Sequence, residues 1–191
     1  MKTLAFFVLA FFLLGCIQQL VLPANSSREP ICGVGTSCVG NQSVASEPAY
    51  SLAFSAIDLE GKPITQEQFK GKVIVAQGFA SWCTSCAVEA EAIKQVYSEF
   101  AGKGVEVLYF DVMPNGEPVE QVRAFRSQYG DAKWHWIAQA NELPAKLGAR
   151  SFDYTAVIDA RGNIVYQDNK LTDPGELRQA IAKVLGRWDN V

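Results

Sequence analysis

The residues best placed to do chemistry are two cysteines spaced by two residues, in Trp82-Cys83-Thr84-Ser85-Cys86. Lys72 to Phe79 reads as a buried strand from its Val73-Ile74-Val75 run, and a helix is expected from about Cys83. A thiol at a helix N-terminus meets free N–H groups and the positive end of the dipole, both of which favour thiolate. A second thiol nearly one turn further on is close enough to resolve a mixed disulfide. Cys83 is therefore the candidate nucleophile and Cys86 the resolving thiol. Zinc would want two further ligands, and with His135 the only histidine the supply is thin.

The other cysteines are Cys16, standing alone, and the pair Cys32 and Cys38. Lys2, the apolar run Leu4 to Leu14 and Gly15-Cys16 form a signal-peptide pattern, too short for a comfortable membrane span of about 20 residues. Leu13-Leu14-Gly15-Cys16 resembles a lipobox, which makes Cys16 the expected lipidation site and residues 1–16 a leader. The folded part is then expected outside the cytoplasm, anchored to the membrane, where cysteine pairs can be oxidised. Residues 17–48 are rich in Gly, Ser and Asn without apolar periodicity and read as a flexible tether. Inside it Cys32 and Cys38 enclose five residues, two of them glycine, so a second, local disulfide is sterically easy. A formal net charge of −3 offers no basic surface, and no nucleic-acid partner is expected.

From about Ala49 strands and helices alternate. Phe54 to Leu59 and Pro63 to Thr65 read as a hairpin around Glu60-Gly61-Lys62, with one helical turn after it over Gln66 to Phe69. The helix after the cysteines places Val88, Ala92, Ile93, Val96, Tyr97 and Phe100 on one face by spacing, and Gly102 and Gly104 stop it. Val105 to Asp111 is a strand, Pro118 to Tyr129 a helix, and Thr155 to Ile158 with Asn163 to Gln167 a second hairpin. Asp173, Pro174 and Glu176 start the last helix as N-cap, first helical residue and capping-box acid. Residues 131–150 form an extra segment, where His135 between Trp134 and Trp136 belongs to a half-buried aromatic cluster.

Gly61-Lys62, Gly71-Lys72-Val73-Ile74-Val75, Phe79-Ala80-Ser81-Trp82-Cys83 and Cys86 followed by Glu89 together resemble the TlpA/ResA branch of thioredoxin-like proteins, over about residues 49–187. The resemblance implies an α/β thioredoxin-like fold with a mixed central sheet flanked by helices, carrying an N-terminal hairpin extension. It implies thiol-disulfide exchange with exported proteins, served by a membrane electron donor, with no cofactor beyond the redox-active disulfide. It also gives Glu89 a role in managing protons, against the plain reading of a surface acid near a helix N-terminus. Gln77 stands where thioredoxins carry a buried acid and cannot take a proton.

Aligning the closing hairpin puts Asp153 where the family usually has a cis-proline facing the cysteines. A carboxylate there can accept hydrogen bonds from substrate, raise a thiol pKa, or act as a hard metal ligand beside two soft ones. Asp153 and Trp82 are the expected walls of the substrate groove. The alternative is a Sco-like copper carrier binding Cu(I) through the same cysteines, although Asp153-Tyr154 lacks that group's histidine. No Pro-x-x-x-Thr-x-x-Cys stretch supports a peroxiredoxin.

Overall fold

The computed structural model describes residues 51–188; residues 1–50, with Cys16, Cys32 and Cys38, lie outside the described residues, as do residues 189–191.

The chain enters through a hairpin of β1 (Ser55–Asp58) and β2 (Pro63–Thr65), whose turn is closed by Asp58 Oδ1 accepting the N–H groups of Glu60 and Lys62 at 2.9 and 2.7 Å. Gly61 sits in this turn at φ 77°, which a residue with a side chain rarely adopts. A single 3-10 turn over Gln66–Phe69 leads into β3 (Val73–Phe79) and α1 (Thr84–Phe100). There follow β4 (Val105–Asp111), α2 (Val119–Tyr129), β5 (His135–Gln139), α3 (Leu143–Leu147), β6 (Tyr154–Ile158), β7 (Ile164–Asn169) and α4 (Pro174–Trp188). The α4 start is the expected one, with Asp173 Oδ1 accepting from Gly175 N at 2.8 Å and Glu176 N at 3.0 Å.

All seven strands form one sheet in the order β2-β1-β5-β4-β3-β6-β7, parallel through β5, β4 and β3 and antiparallel at both ends. Every residue of β3 is buried, so its alternation feeds two cores. Val73, Val75 and Phe79 face a layer built from α1, α2 and α4, whereas Ile74 and Ala76 face the hairpin, the 3-10 turn and α3. Full burial of a side chain such as Phe79 contributes about 1.5–3 kcal/mol relative to exposure. From α2, Arg123 donates to the Leu59 carbonyl and Arg126 to Glu60 at 3.0 Å, which pins the hairpin to the body.

One sequence expectation changes. Val88 is 58 % exposed and does not belong to the packed face of α1, which runs through Cys86, Glu89, Ala90, Ile93, Val96 and Phe100. Helical spacing fits either residue; what turns Glu89 inward is a set of polar partners on other elements. The expected extra segment over residues 131–150 supplies a strand to the sheet. Its strand β5 lies between β4 and β1, Trp134 and Trp136 pack against Tyr109 on the α1 side, and His135 points to the other face against the Phe69 ring. His135 is half-buried in an aromatic cluster, as expected, and its Nε2 lies 3.2 Å from Glu106.

Candidate active site

Cys83 is the N-cap of α1, and its sulfur accepts the Cys86 N–H at 3.1 Å, with the Ser85 hydroxyl 3.3 Å away. The chain reaches this point as a tight turn after β3, with Cys83 N donating to Ala80 O at 3.0 Å. The two cysteines are joined as a disulfide with Cα atoms 5.3 Å apart. Cys83 keeps 7 % of its surface exposed and Cys86 none. An attacking thiol therefore meets Cys83 first, forming a mixed disulfide there and releasing Cys86 as the thiolate; once a second thiol has freed Cys83, the helix N-terminus is ready to hold the Cys83 thiolate.

Beside the pair, Trp82 is 61 % exposed and packs edge-on against Phe152 at 4.8 Å. The Phe152 carbonyl lies 3.5 Å from Cys86 Sγ. Asp153, next in the chain, brings Oδ1 to 4.0 Å from each sulfur. Its place is fixed by Tyr154, buried, whose hydroxyl donates to the Leu147 carbonyl at 2.6 Å. The two sulfurs and the Asp153 carboxylate lie within 4.8 Å of one another, the juxtaposition of one hard and two soft donors anticipated from sequence.

Beneath the cysteines lies a buried polar network that sequence alone did not delimit. Gln77 and Thr155 are paired in register across β3 and β6, and both face α1. Gln77 Nε2 donates to Glu89 Oε2 at 2.5 Å and Thr155 Oγ1 lies 2.5 Å from Gln77 Oε1. Glu89 Oε1 accepts from Thr172 N at 3.0 Å and lies 3.1 Å from Thr155 Oγ1. Glu89 is 1 % exposed, which removes the surface-acid reading. Burial raises its pKa, and the nearby Asp153 charge adds to that against the opposing hydrogen bonds from Thr172 and Thr155.

The active-site turn is held from a second direction. Glu117 Oε2 accepts Ser81 N and Oε1 accepts Ser81 Oγ, both at 2.7 Å, and Glu117 N in turn donates to Asp111 Oδ2 at 2.5 Å. Burial and the neighbouring Glu117 charge push Asp111 up to about 6, even though it accepts backbone hydrogen bonds. A chain of two acids thus runs from the end of β4 to the residue before Trp82.

Comparison with known proteins adds a lineage to this geometry. The Redoxin family matches residues 44–184. The chain belongs to the Redoxin family. It is 29% identical over 114 residues to the thiol-disulfide oxidoreductase ResA of Bacillus thuringiensis, a match covering 60% of this chain and 64% of that protein. To the thioredoxin-like protein YneN of Bacillus subtilis it is 28% identical over 127 residues, covering 66% of this chain and 71% of the relative. Among solved structures, a thioredoxin-like protein from Aeropyrum pernix superposes with a TM-score of 0.61 at 24% identity, covering 69% of this chain and 89% of that one. The match to the first relative spans less than two thirds of its length. This Redoxin chain is thus TlpA/ResA-like with a thioredoxin-like fold, and its relatives lend no support to the copper-carrier alternative.

Within the Redoxin domain the structure brings Trp82, Cys83, Cys86 and Asp153 together at one surface and sets Glu89 behind them. His135 is engaged with Glu106 and Phe69 and is not one of the three clustered donors. Thr155, Thr172, Asp111 and Glu117 were missed. Gln77 inside an otherwise apolar strand was the available signal, because a buried amide demands polar partners. Nothing local marks Glu117, which reaches Ser81 across 36 residues.

Proposed function

We propose that the protein is a thiol-disulfide oxidoreductase, membrane-anchored on the extracytoplasmic side through Cys16, that exchanges disulfides with exported proteins through Cys83 and Cys86. The observation that carries this reading is the Cys83–Cys86 disulfide at the N-terminus of α1, with one sulfur reachable and the other covered. The names of the relatives support the reaction class. In the reducing direction the Cys83 thiolate attacks a substrate disulfide, forming a Cys83–substrate disulfide and releasing one substrate thiolate. Cys86 then attacks Cys83 Sγ, closing the Cys83–Cys86 bond and releasing the second substrate thiolate. A membrane dithiol donor reopens the pair by the reverse exchange. The disulfide is the only redox group this cycle needs.

The test is trapping. In a Cys16→Ser, Cys32→Ser, Cys38→Ser background, the reduced Cys86→Ala protein, offered a disulfide-containing protein, accumulates a covalent complex through Cys83 that dithiothreitol dissolves, while Cys83→Ala accumulates none. A native protein whose Cys83–Cys86 disulfide resists excess dithiothreitol would instead make the pair structural.

A further inference from the structure

Exchange through Cys83 and Cys86 leaves one proton without an owner. The resolving thiol must lose it at the moment it attacks, and Cys86 is fully buried, so bulk water does not collect it there. Glu89 is the acid the sequence offers for this task, but its oxygens are turned away from the sulfurs. They bond Gln77, Thr155 and Thr172, and no hydrogen bond links them to either cysteine. A fixed count of protons strengthens the point. Thr155 has a single hydroxyl proton and two acceptors, Gln77 Oε1 at 2.5 Å and Glu89 Oε1 at 3.1 Å. Every pair is satisfied only when Thr155 donates to Gln77 and a protonated Glu89 donates to Thr155. Glu89 is thereby organised to keep a proton rather than to take a second one.

The carboxylate that does reach the sulfurs is Asp153, with Oδ1 at 4.0 Å from both. In the disulfide neither sulfur carries hydrogen, so this is a contact awaiting a proton. Opening the 2.09 Å bond moves the sulfurs to non-bonded separation, and Cys86 Sγ then has two acceptors in reach, the Phe152 carbonyl and Asp153 Oδ1. Only the second can accept the proton outright. Asp153 is partly exposed whereas Glu89 is buried, so Asp153 can also exchange its proton with solvent or with a departing group. Other groups facing Asp153 are the two cysteines and, behind them, Glu89.

We propose that Asp153 is the acid–base group of the resolving step, a deepening that rests on the oxidoreductase reading above. With a substrate sulfur bonded to Cys83, the Asp153 carboxylate removes the Cys86 S–H proton. The Cys86 electron pair forms the Cys86–Cys83 bond, the Cys83–substrate bond breaks, and its electron pair leaves on the substrate sulfur. The Asp153 carboxyl returns the proton to that thiolate. Electrons and protons balance with no further reactant, and the reverse sequence serves the oxidising direction.

The experiment uses the reduced full-length protein in a Cys16→Ser, Cys32→Ser, Cys38→Ser background, so that Cys83 and Cys86 are its only thiols, and 5,5′-dithiobis(2-nitrobenzoate), whose coloured thiolate reports each step in stopped flow. A first release marks attack by Cys83, and a second marks resolution by Cys86. The two roles open to Asp153 have opposite signs. If it acts only as a charge, Asp153→Asn removes a negative group beside the thiols, favours thiolate and speeds both releases. As the base, its loss leaves the first release at least as fast as in the wild type and slows the second by about tenfold or more. Asp153→Glu, keeping a carboxylate, then resolves faster than Asp153→Asn. An undiminished second release in Asp153→Asn overturns the proposal, as does a loss seen in Glu89→Gln but not in Asp153→Asn. A wild type giving neither release overturns the oxidoreductase reading as well. The first release shows that Cys83 is reactive in each variant, and circular dichroism shows that each is folded.

Discussion

The Gln77 amide donates to the Glu89 carboxylate at 2.5 Å across the interface between β3 and α1, in a space sealed from solvent. A pair of this kind ties the redox helix to the centre of the sheet through polar atoms, in a layer otherwise made largely of aliphatic and aromatic side chains. Its stability consequence can be read from substitutions that keep or delete the hydrogen-bonding atoms.

Glu89→Gln keeps an acceptor for Gln77 and turns a donor toward Thr155, but that donor replaces the oxygen that accepts the Thr172 N–H, so one buried N–H loses its partner. It is expected to lower the unfolding free energy by about 1–2 kcal/mol at neutral pH. Glu89→Ala strands the Thr172 N–H and the Gln77 amide in an apolar layer and is expected to cost about 2–4 kcal/mol. Urea denaturation of the three proteins checks both values. Equal losses in the two variants would show that an amide cannot stand in for the carboxyl anywhere in this network.

Cys83 is expected to be the more reactive thiol of the reduced pair, because it caps α1 and keeps some exposure while Cys86 has none. Substoichiometric iodoacetamide near neutral pH, followed by peptide mass analysis, should find the label on Cys83. Glu89→Gln should then alter the pH profile of that labelling, since it removes a buried acid with a raised pKa next to the pair. Labelling of Cys86 first would reverse the assigned order of attack.

Asp111 gives a pH-dependent stability with a definite sign. Its carboxyl is pushed from an ordinary 3.8 up to about 6, so the folded protein binds this proton more tightly than the unfolded chain does. Stability from this group is full below about pH 4 and declines as pH rises from about 4 to 6, by at most roughly 3 kcal/mol. The margin of the wild type over Asp111→Asn should therefore shrink across that window. A margin that widens with rising pH contradicts the assignment.

Glu117 should matter for turnover through the turn it holds. Glu117→Ala leaves the Ser81 N–H and hydroxyl without their acceptors and loosens the residues leading to Trp82, with an expected loss of about tenfold in kcat/KM for a protein disulfide. Glu117→Gln keeps an oxygen for the N–H and offers a donor to the hydroxyl, and should recover most of that loss. Failure of Gln to restore activity would mean that the negative charge, not the positioning, is what the site uses.

The anchor is tested by fractionation. The native protein should sediment with membranes and the Cys16→Ser protein should be released or retain its leader. The same mass and the same membrane extraction in both would remove lipidation at Cys16 from the proposal.

Much of the fold was legible because its signals are local. The Glu60-Gly61-Lys62 turn, the Val73-Ile74-Val75 run and the Asp173-Pro174 start each act over a few residues, and each element stands where expected. The cysteine pair was legible for the same reason. What could not be read are relationships that only the closed sheet creates. Val88 and Glu89 are neighbours on α1, and a rule that sends charge outward chose the wrong one, because the Thr172 N–H that receives Glu89 comes from 83 residues away. The β5 strand was hidden by its own composition, since Trp134-His135-Trp136 reads as an aromatic cluster until the sheet order shows that it alternates between faces. Asp153 was found only by alignment of the closing hairpin, and Glu117 not at all.

The sheet order also dictates when the protein becomes what it is. β1 completes its pairing only with β5, so the first strand among the described residues waits for Gln139, and a two-stranded hairpin alone is marginal in water. The pair Cys83 and Cys86 leaves the ribosome earlier than the groups around it, for Asp153, Thr155 and Thr172 all follow β5. A chain truncated between Cys86 and Phe152 carries a bare dithiol with neither Asp153 nor the Glu89 enclosure. Emergence of the chain therefore delivers the reactive sulfurs first and their restraint last, and any oxidation before Asp153 and Thr172 have followed meets cysteines that nothing yet governs.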